Sequence, residues 1–186
     1  MKQVEDAEII AKFSQENSRN EAFNLLLNKY QQKIYWHVRR LVINHDDTDD
    51  LVQEVFIKVW KNLEKFRNDS QLYTWIYRIA TNESITFLNK KKQKNNTPLD
   101  EVSAELAESL VETSYFNGDK VELKLQKAIL SLPEKQRLVF NMKFYDDLKY
   151  EEISAIVGTS VGALKASYHI AVKKIEAFVL NEDITF

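Results

Sequence analysis

Gly158-Thr159-Ser160 separates two stretches whose apolar residues recur at helical spacing. Upstream, Ile153, Ile156 and Val157 pattern a short helix over about 150–157, with Ala155 small enough for close approach. Downstream, Val161, Leu164, Tyr168, Ala171, Val172 and Ile175 pattern a longer helix over about 161–179. Glycine enters the left-handed conformation without a Cβ penalty, so Gly158 suits the end of the first helix. Thr159 or Ser160 suits the cap of the second. A further helix precedes the pair. Pro133 stands at a first helical position, and Ser131 and Glu134 have capping-box spacing. Leu138, Val139, Met142 and Phe144 supply its apolar face, and Asp146-Asp147 interrupt it. Helix, short helix, tight turn and long helix make the layout of a helix-turn-helix, whose last helix enters the DNA major groove. Thr159, Ser160, Gly162, Ala163, Lys165, Ala166, His169 and Lys173 fall at its start and on its outer side. An ordinary helical hairpin shares this periodicity, so the function needs support from upstream.

The N-terminal half forms a second helical unit. Ser18-Arg19-Asn20-Glu21 has capping-box spacing before a helix over about 20–43. Phe23, Leu26, Leu27, Tyr30, Ile34, Val38 and Leu41 form its buried stripe. A polar break over 45–50 leads to a helix over about 49–66, with Val52, Val55, Phe56, Val59, Trp60 and Leu63 facing inward. Asp50, Gln53, Glu54, Lys58 and Lys61 fall on its other side. The loop 67–70 then starts a helix over about 71–92, patterned by Leu72, Trp75, Ile76, Ile79, Ile85 and Leu88. The acidic stretch 97–118 reads as a linker between a domain 1–96 and a domain 119–186.

Only three glycines and two prolines occur in 186 residues, and period-two alternation is rare, so an all-α fold is expected. It consists of two small helical domains joined by a flexible acidic linker. There is no cysteine, which excludes a disulfide scaffold, a thiolate metal site and a cysteine nucleophile. The first residues lack the apolar core of a signal peptide, and no apolar run reaches membrane-spanning length, so the expectation is a cytoplasmic protein without membrane insertion.

The net charge of −2 is unusual for a DNA binder, but its distribution is uneven. Residues 1–96 carry 16 basic and 13 acidic side chains, residues 97–130 carry 3 and 7, and residues 131–186 carry 7 and 8. Local phosphate contacts, not total charge, set affinity, and a near-neutral chain needs a larger partner to bind DNA tightly.

Among possible sites, the helix from Leu72 combines Tyr73, Trp75, Tyr77 and Arg78 near its start with Lys90, Lys91 and Lys92 near its end. Aromatic faces stack on unpaired bases and lysines contact phosphate, a combination that suits single-stranded DNA beside duplex. A core role for Trp75 and a solvated helix end for the lysines is the competing reading. Asp50, Gln53 and Glu54, at spacings of three and four, share one helix side that suits a basic partner helix, or plain solvent. Asp46, Asp47, Asp49 and Asp50 lack the glycine and terminal glutamate of a calcium loop, so they read as helix-capping residues. His37, His45 and His169 have no metal-ligand spacing, no serine sits in a nucleophile elbow, and no glycine loop cradles phosphate. No catalytic site, metal or cofactor is therefore expected.

Two stretches together resemble extracytoplasmic-function sigma factors, the two-domain specificity subunits of bacterial RNA polymerase. The first is DDLVQEVFIKVWKNLEKF (Asp49 to Phe66) with TWIYRIATNESITFLNKKK (Thr74 to Lys92). The second runs from Leu132 to Ile175. The resemblance implies core RNA polymerase and promoter DNA as partners. An anti-sigma factor is a further candidate, because this family is often held inactive by one. It implies that 1–96 docks on the polymerase and opens the −10 element, and that 119–186 reads the −35 element. Asp50, Gln53 and Glu54 match the family's polymerase contacts. Arg67, Asn68, Asp69, Ser70, Tyr73, Trp75, Tyr77, Arg78 and Asn82 match its −10 region, with Lys90, Lys91 and Lys92 toward backbone. Where many members carry arginines in the last helix, this chain has Ser167, Ile170 and Val172. A stand-alone helix-turn-helix regulator, acting as a dimer, is the alternative function.

Overall fold

The computed structural model describes residues 4–95 and 120–181, and every element among them is helical. The linker assigned to 97–118 lies outside the described residues. Among the described residues there are eight α-helices: α1 Asp6–Phe13, α2 Arg19–Val42, α3 His45–Asn62, α4 Leu72–Asn95, α5 Lys120–Leu130, α6 Glu134–Phe144, α7 Tyr150–Val157 and α8 Val161–Asn181. Single 3₁₀ turns, Glu16–Ser18 and Leu63–Lys65, follow α1 and α3. The chain divides into two compact units, with the boundary between Thr86 and Phe87.

In the first unit, Ile9, Leu26, Ile34, Val38, Val55, Val59 and Ile76 are sealed from solvent. An edge-to-face aromatic chain joins three helices, with Phe13 to Trp60 at 5.1 Å, Trp60 to Phe23 at 4.9 Å and Phe23 to Phe56 at 6.5 Å. This geometry sets the positive ring edge against the negative ring face. Tyr30 is buried and donates to Asp6 Oδ1 at 2.6 Å, while Lys29 Nζ reaches the same carboxylate at 2.8 Å, fastening α1 to α2. His37 is buried, and its Nε2 lies 2.9 Å from Thr81 Oγ1. The Thr81 hydroxyl spends its proton on Tyr77 O at 2.8 Å, so the imidazole must be the donor.

The turn between α2 and α3 is unusual. Ile43 is buried, with φ 68° and ψ −42°, and Asn44 N donates to Val42 O at 2.9 Å, closing a γ-turn. A β-branched residue here costs on the order of 1–3 kcal/mol, which side-chain burial offsets. Asn44 then caps α3, its side chain accepting from Asp47 N at 3.0 Å. Helix α3 therefore begins at His45, and the polar run read as a break is its first turn. The cap is Asn44 rather than an aspartate. Asp46 and Asp47 lie in the first turn, where the helix dipole favours negative charge.

Both capping boxes expected at serines are corrected by the structure. Ser18 Oγ donates to Lys12 O at 2.7 Å, and Ser131 Oγ donates to Ala128 O at 2.7 Å. Each serine closes the helix behind it instead of opening the one ahead. A hydroxyl is both donor and acceptor, and the orphan carbonyls of the preceding helix took the donor.

In the second unit, Ala128, Ile129, Leu132, Phe140, Ala171 and Ile175 form a core flanked by Tyr145, Tyr168 and Val172. Phe144, expected inside, is 52% exposed. It sits at the end of α6, stacking on Phe140 at 5.2 Å and meeting Tyr145 edge-on at 4.9 Å. Ala155 also points outward rather than into a close approach. Among the described residues, no helix is long and apolar enough to cross a membrane.

Candidate nucleic-acid interface

Three surfaces carry the residues singled out by sequence. On α3, Asp50, Gln53 and Glu54 are all exposed, while Leu51, Val52, Val55 and Phe56 behind them are buried. The period of α3 therefore delivers a polar ridge on a packed base. Beside Gln53 lies an open groove of about 420 Å³, lined by Phe23, Leu27, Val52, Phe56, Ile57 and Trp60. Ile57 is 52% exposed. The groove was missed from sequence, although an isoleucine on the polar side of α3, four residues beyond Gln53, was its signal.

The second surface joins the end of α3 to α4. Leu63 is buried, and the chain turns through Arg67, Asn68 and Asp69, all exposed, with Asn68 left-handed at φ 58°. Asparagine tolerates that region better than most residues. Ser70 is half-buried, and Gln71 O accepts from Trp75 N at 3.1 Å as α4 begins. The two helices enclose an open cavity of about 340 Å³, lined by Lys58, Asn62, Lys65, Trp75, Ile79, Asn82 and Glu83. That is near the lower end of ligand clefts, at about 300–1,000 Å³.

Trp75 is half-buried, and its ring leans on Phe66 at 5.2 Å, so it is a supported wall rather than a core residue. Asn62 Nδ2 back-bonds to Lys58 O at 2.8 Å, and Lys58 pairs with Glu83 at 2.5 Å. Two asparagine amides, two lysines and an indole thus converge on one hollow. Sequence reasoning found Trp75 and Asn82 but left out Lys58, Asn62, Lys65, Ile79 and Glu83. It had grouped Lys58 with the Asp50 side. The outer side of α3 in fact splits into an acidic-amide start and a cationic end.

Other residues of this group scatter. Tyr77 is 4% exposed and lies against His37 at 4.8 Å between ring centres. It is a core residue rather than the DNA-facing one expected from sequence, because helical spacing turns it inward with Ile76 and Ala80. Tyr73 is half-buried and meets Tyr77 edge-on at 6.3 Å. Arg78 and Asn82 are exposed on α4. Farther along, Lys90 is exposed, and Lys91 and Lys92 are half-buried, with Lys91 Nζ 5.8 Å from the centre of the Phe87 ring.

The third surface is the turn and outer side of α8. Gly158 is left-handed at φ 70° and ψ 25°, its N–H bonding Ser154 O at 2.9 Å, as its place in the sequence required. Ser160 Oγ accepts from Ala163 N at 3.4 Å, making it the cap. Glu152 Oε2 accepts from Lys149 N at 2.7 Å and secures the start of α7. Thr159, Ser160, Gly162, Ala163, Lys165, Ala166, His169 and Lys173 are all exposed. Leu164, Ala171 and Ile175 anchor the opposite side. Lys165 Nζ lies 5.7 Å from the centre of the Tyr150 ring, whose hydroxyl is pushed up by burial and then by Tyr168.

Residues 26–94 match the family model described as Sigma-70 region 2, and residues 122–175 match Sigma-70, region 4. The ECF RNA polymerase sigma-E factor of Escherichia coli (strain K12) is 37% identical over 154 residues, covering 78% of this chain and 80% of the relative. The chain belongs to the extracytoplasmic-function sigma factors. Similarity extends to the RNA polymerase sigma-H factor of Pseudomonas aeruginosa, 31% identical over 180 residues and 88% of each chain. Among solved structures, CnrH, in complex with the cytosolic domain of CnrY, has a TM-score of 0.70 at 22% identity, over 96% of this sigma factor and 98% of that chain. The sigma factor RpoE in complex with the anti-sigma factor NepR from Bartonella quintana has a TM-score of 0.66 at 20% identity, over 88% and 98%. These two likenesses concern the fold.

Proposed function

We propose that this sigma factor directs bacterial core RNA polymerase to its promoters, with 1–96 docking on the polymerase and melting the −10 element, and 119–186 holding the −35 element. Residues 97–118 serve as the linker. Family membership supports the general role. The observation that carries the mechanism is the hollow between α3 and α4, where Trp75, Asn62, Asn82, Lys58 and Lys65 converge. Melting needs somewhere for an extruded base to go. Extrusion costs a few kcal/mol, and a pocket with an aromatic wall and amide edges offsets that cost. The exposed loop 67–69 offers polar groups to a displaced strand in this reading, and Arg78 and Lys90 supply cations along α4.

Docking falls to Asp50, Gln53 and Glu54, whose acidic-amide ridge suits a basic helical partner, with the apolar groove at Gln53 adding burial. On its own, each DNA contact is weak. Joining both to one polymerase turns the second contact into an intramolecular event and raises its effective concentration. The polymerase carries out RNA synthesis, and the chain works in the cytoplasm with it. The relatives solved with anti-sigma partners support a similar inhibitor here. The test is reconstitution. Core polymerase with this chain should start RNA at discrete sites on a random promoter library, while core alone should not. Tight, specific duplex binding by the isolated chain, without capture of core polymerase, would favour a stand-alone regulator and sink the proposal.

A further inference from the structure

The outer side of α8 has an unusual chemical inventory. Between Thr159 and Leu180 there is no arginine, asparagine, glutamine or aspartate. Guanine is read best by arginine, adenine by asparagine or glutamine, and cytosine by aspartate or glutamate. Lysine also reads guanine and glutamate reads cytosine, and Lys165, Lys173 and Glu176 are present, but the exposed apolar side chains add contact of the kind that selects the 5-methyl group of thymine. The structure arranges such contact in a row. Ala163, Ala166 and Ile170 are spaced by three and four residues, so they share one helix side, and all are exposed. Ile170 is 44% exposed, a large apolar group left in water.

The helix can also come close to a groove floor. A Cβ built on Gly162 would meet no heavy atom of the surrounding elements within 4 Å, so there is open space at that position of the first turn. Lys165, His169 and Lys173 flank the row and are exposed, and Glu176 is the sole carboxylate on α8 among the described residues. An apolar ridge between cations is complementary to a major groove, where methyl groups lie between two phosphate walls. A second copy of the chain would present the same cations and be repelled.

Resting on the reading of 119–186 as the −35 reader, we infer that Ala163, Ala166 and Ile170 select a thymine-rich upstream element by seating thymine methyl groups. Lysine-to-phosphate contacts then hold register without reading sequence.

The experiment uses holoenzyme assembled from core polymerase and the full chain. First, a library randomised only in the upstream element is selected for transcription, and thymine should be enriched opposite the row. Second, those thymines are replaced by deoxyuridine, which removes nothing but the methyl group. Filter binding should weaken by about fourfold for each methyl seated, the equivalent of one buried methyl. Ile170→Ala should abolish the difference between thymine and uracil at one position, and Ile170→Arg should move the enrichment there toward guanine. Exposure of Ile170 keeps both variants folded.

A holoenzyme that protects the upstream element but binds uracil and thymine promoters equally overturns this inference alone. A wild-type selection that returns guanine at these positions does the same, as does a dimer in solution that Ile170→Arg disperses. Failure of the chain to capture polymerase overturns the proposed function beneath it, and with it this inference.

Discussion

Removing the two amides from the α3–α4 hollow tests base capture directly. Asn62 and Asn82 are both exposed, and Asn62 Nδ2 back-bonds to Lys58 O. Alanine at either position is a better helix former than asparagine, so Asn62→Ala with Asn82→Ala leaves the first unit folded. Each amide offers hydrogen bonds to a base edge, worth about 0.5–1.5 kcal/mol apiece after exchange with water. Losing both removes about 1–3 kcal/mol, or about 5- to 160-fold in the open-complex equilibrium. Permanganate reactivity of unpaired thymines, on a supercoiled promoter with reconstituted holoenzyme, measures that equilibrium. Polymerase capture by co-purification should not change. An abasic site at the captured position supplies the double-mutant cycle, because without a base the variant and the wild type should open DNA equally. Open complexes within twofold of wild type, with capture intact, would refute the argument.

The polar ridge, the turn and the N-terminal fastening each give a further expectation. Gln53→Ala with Glu54→Ala should reduce retention of core polymerase at least tenfold without lowering the melting temperature, since both residues are exposed; undiminished retention would remove them from the docking surface. Gly158→Ala meets no atom within 4 Å but forces a Cβ into φ 70°, costing about 1–2 kcal/mol in urea unfolding of the second unit. A neutral result would show that the turn relaxes. Burial first, and the bond to Asp6 second, push Tyr30 above its ordinary value of 10.0. The folded chain therefore keeps a proton that the unfolded chain releases near pH 10, so this stability is full below pH 10 and is lost as pH rises further. The slope is about 1.4 kcal/mol per pH unit until the native tyrosine ionises. Tyr30→Phe should flatten the alkaline limb of melting temperature against pH, and an identical limb would count against the mechanism.

The fold was legible wherever one periodicity dominated. The stripes Leu26–Tyr30–Ile34–Val38 and Leu164–Ala171–Ile175 are buried as spaced, and Gly158 ended its helix because only its backbone tolerates the turn at no cost. Misreadings arose where one residue type serves two masters. Ser18 and Ser131 matched an opening signal yet spent their protons backwards. The aspartates after Asn44 looked like a gap but belong to the first turn of α3. Tyr77 has the chemistry of a base-stacking residue and the angular position of a core residue, and position decided it. The residues read onto the outer side of α8 are all exposed, because exposure on a single anchored helix follows from spacing, but Ile170, also exposed, was left out. The α3–α4 hollow was half-read, since Lys58 and Asn62 reach Trp75 and Asn82 only after the loop 67–70 reverses the chain.

The chain's three tryptophans all lie in its first unit, at positions 36, 60 and 75. Trp60 lines the apolar groove beside Gln53, and Trp75 lines the hollow between α3 and α4. Each surface therefore contains its own natural optical probe, while the helix-turn-helix is dark at the indole excitation edge. With Trp36 and one of the other two changed to phenylalanine, ultraviolet emission would follow polymerase arrival in one variant and nucleotide arrival in the other. The order of events in promoter opening could then be timed without attaching a dye.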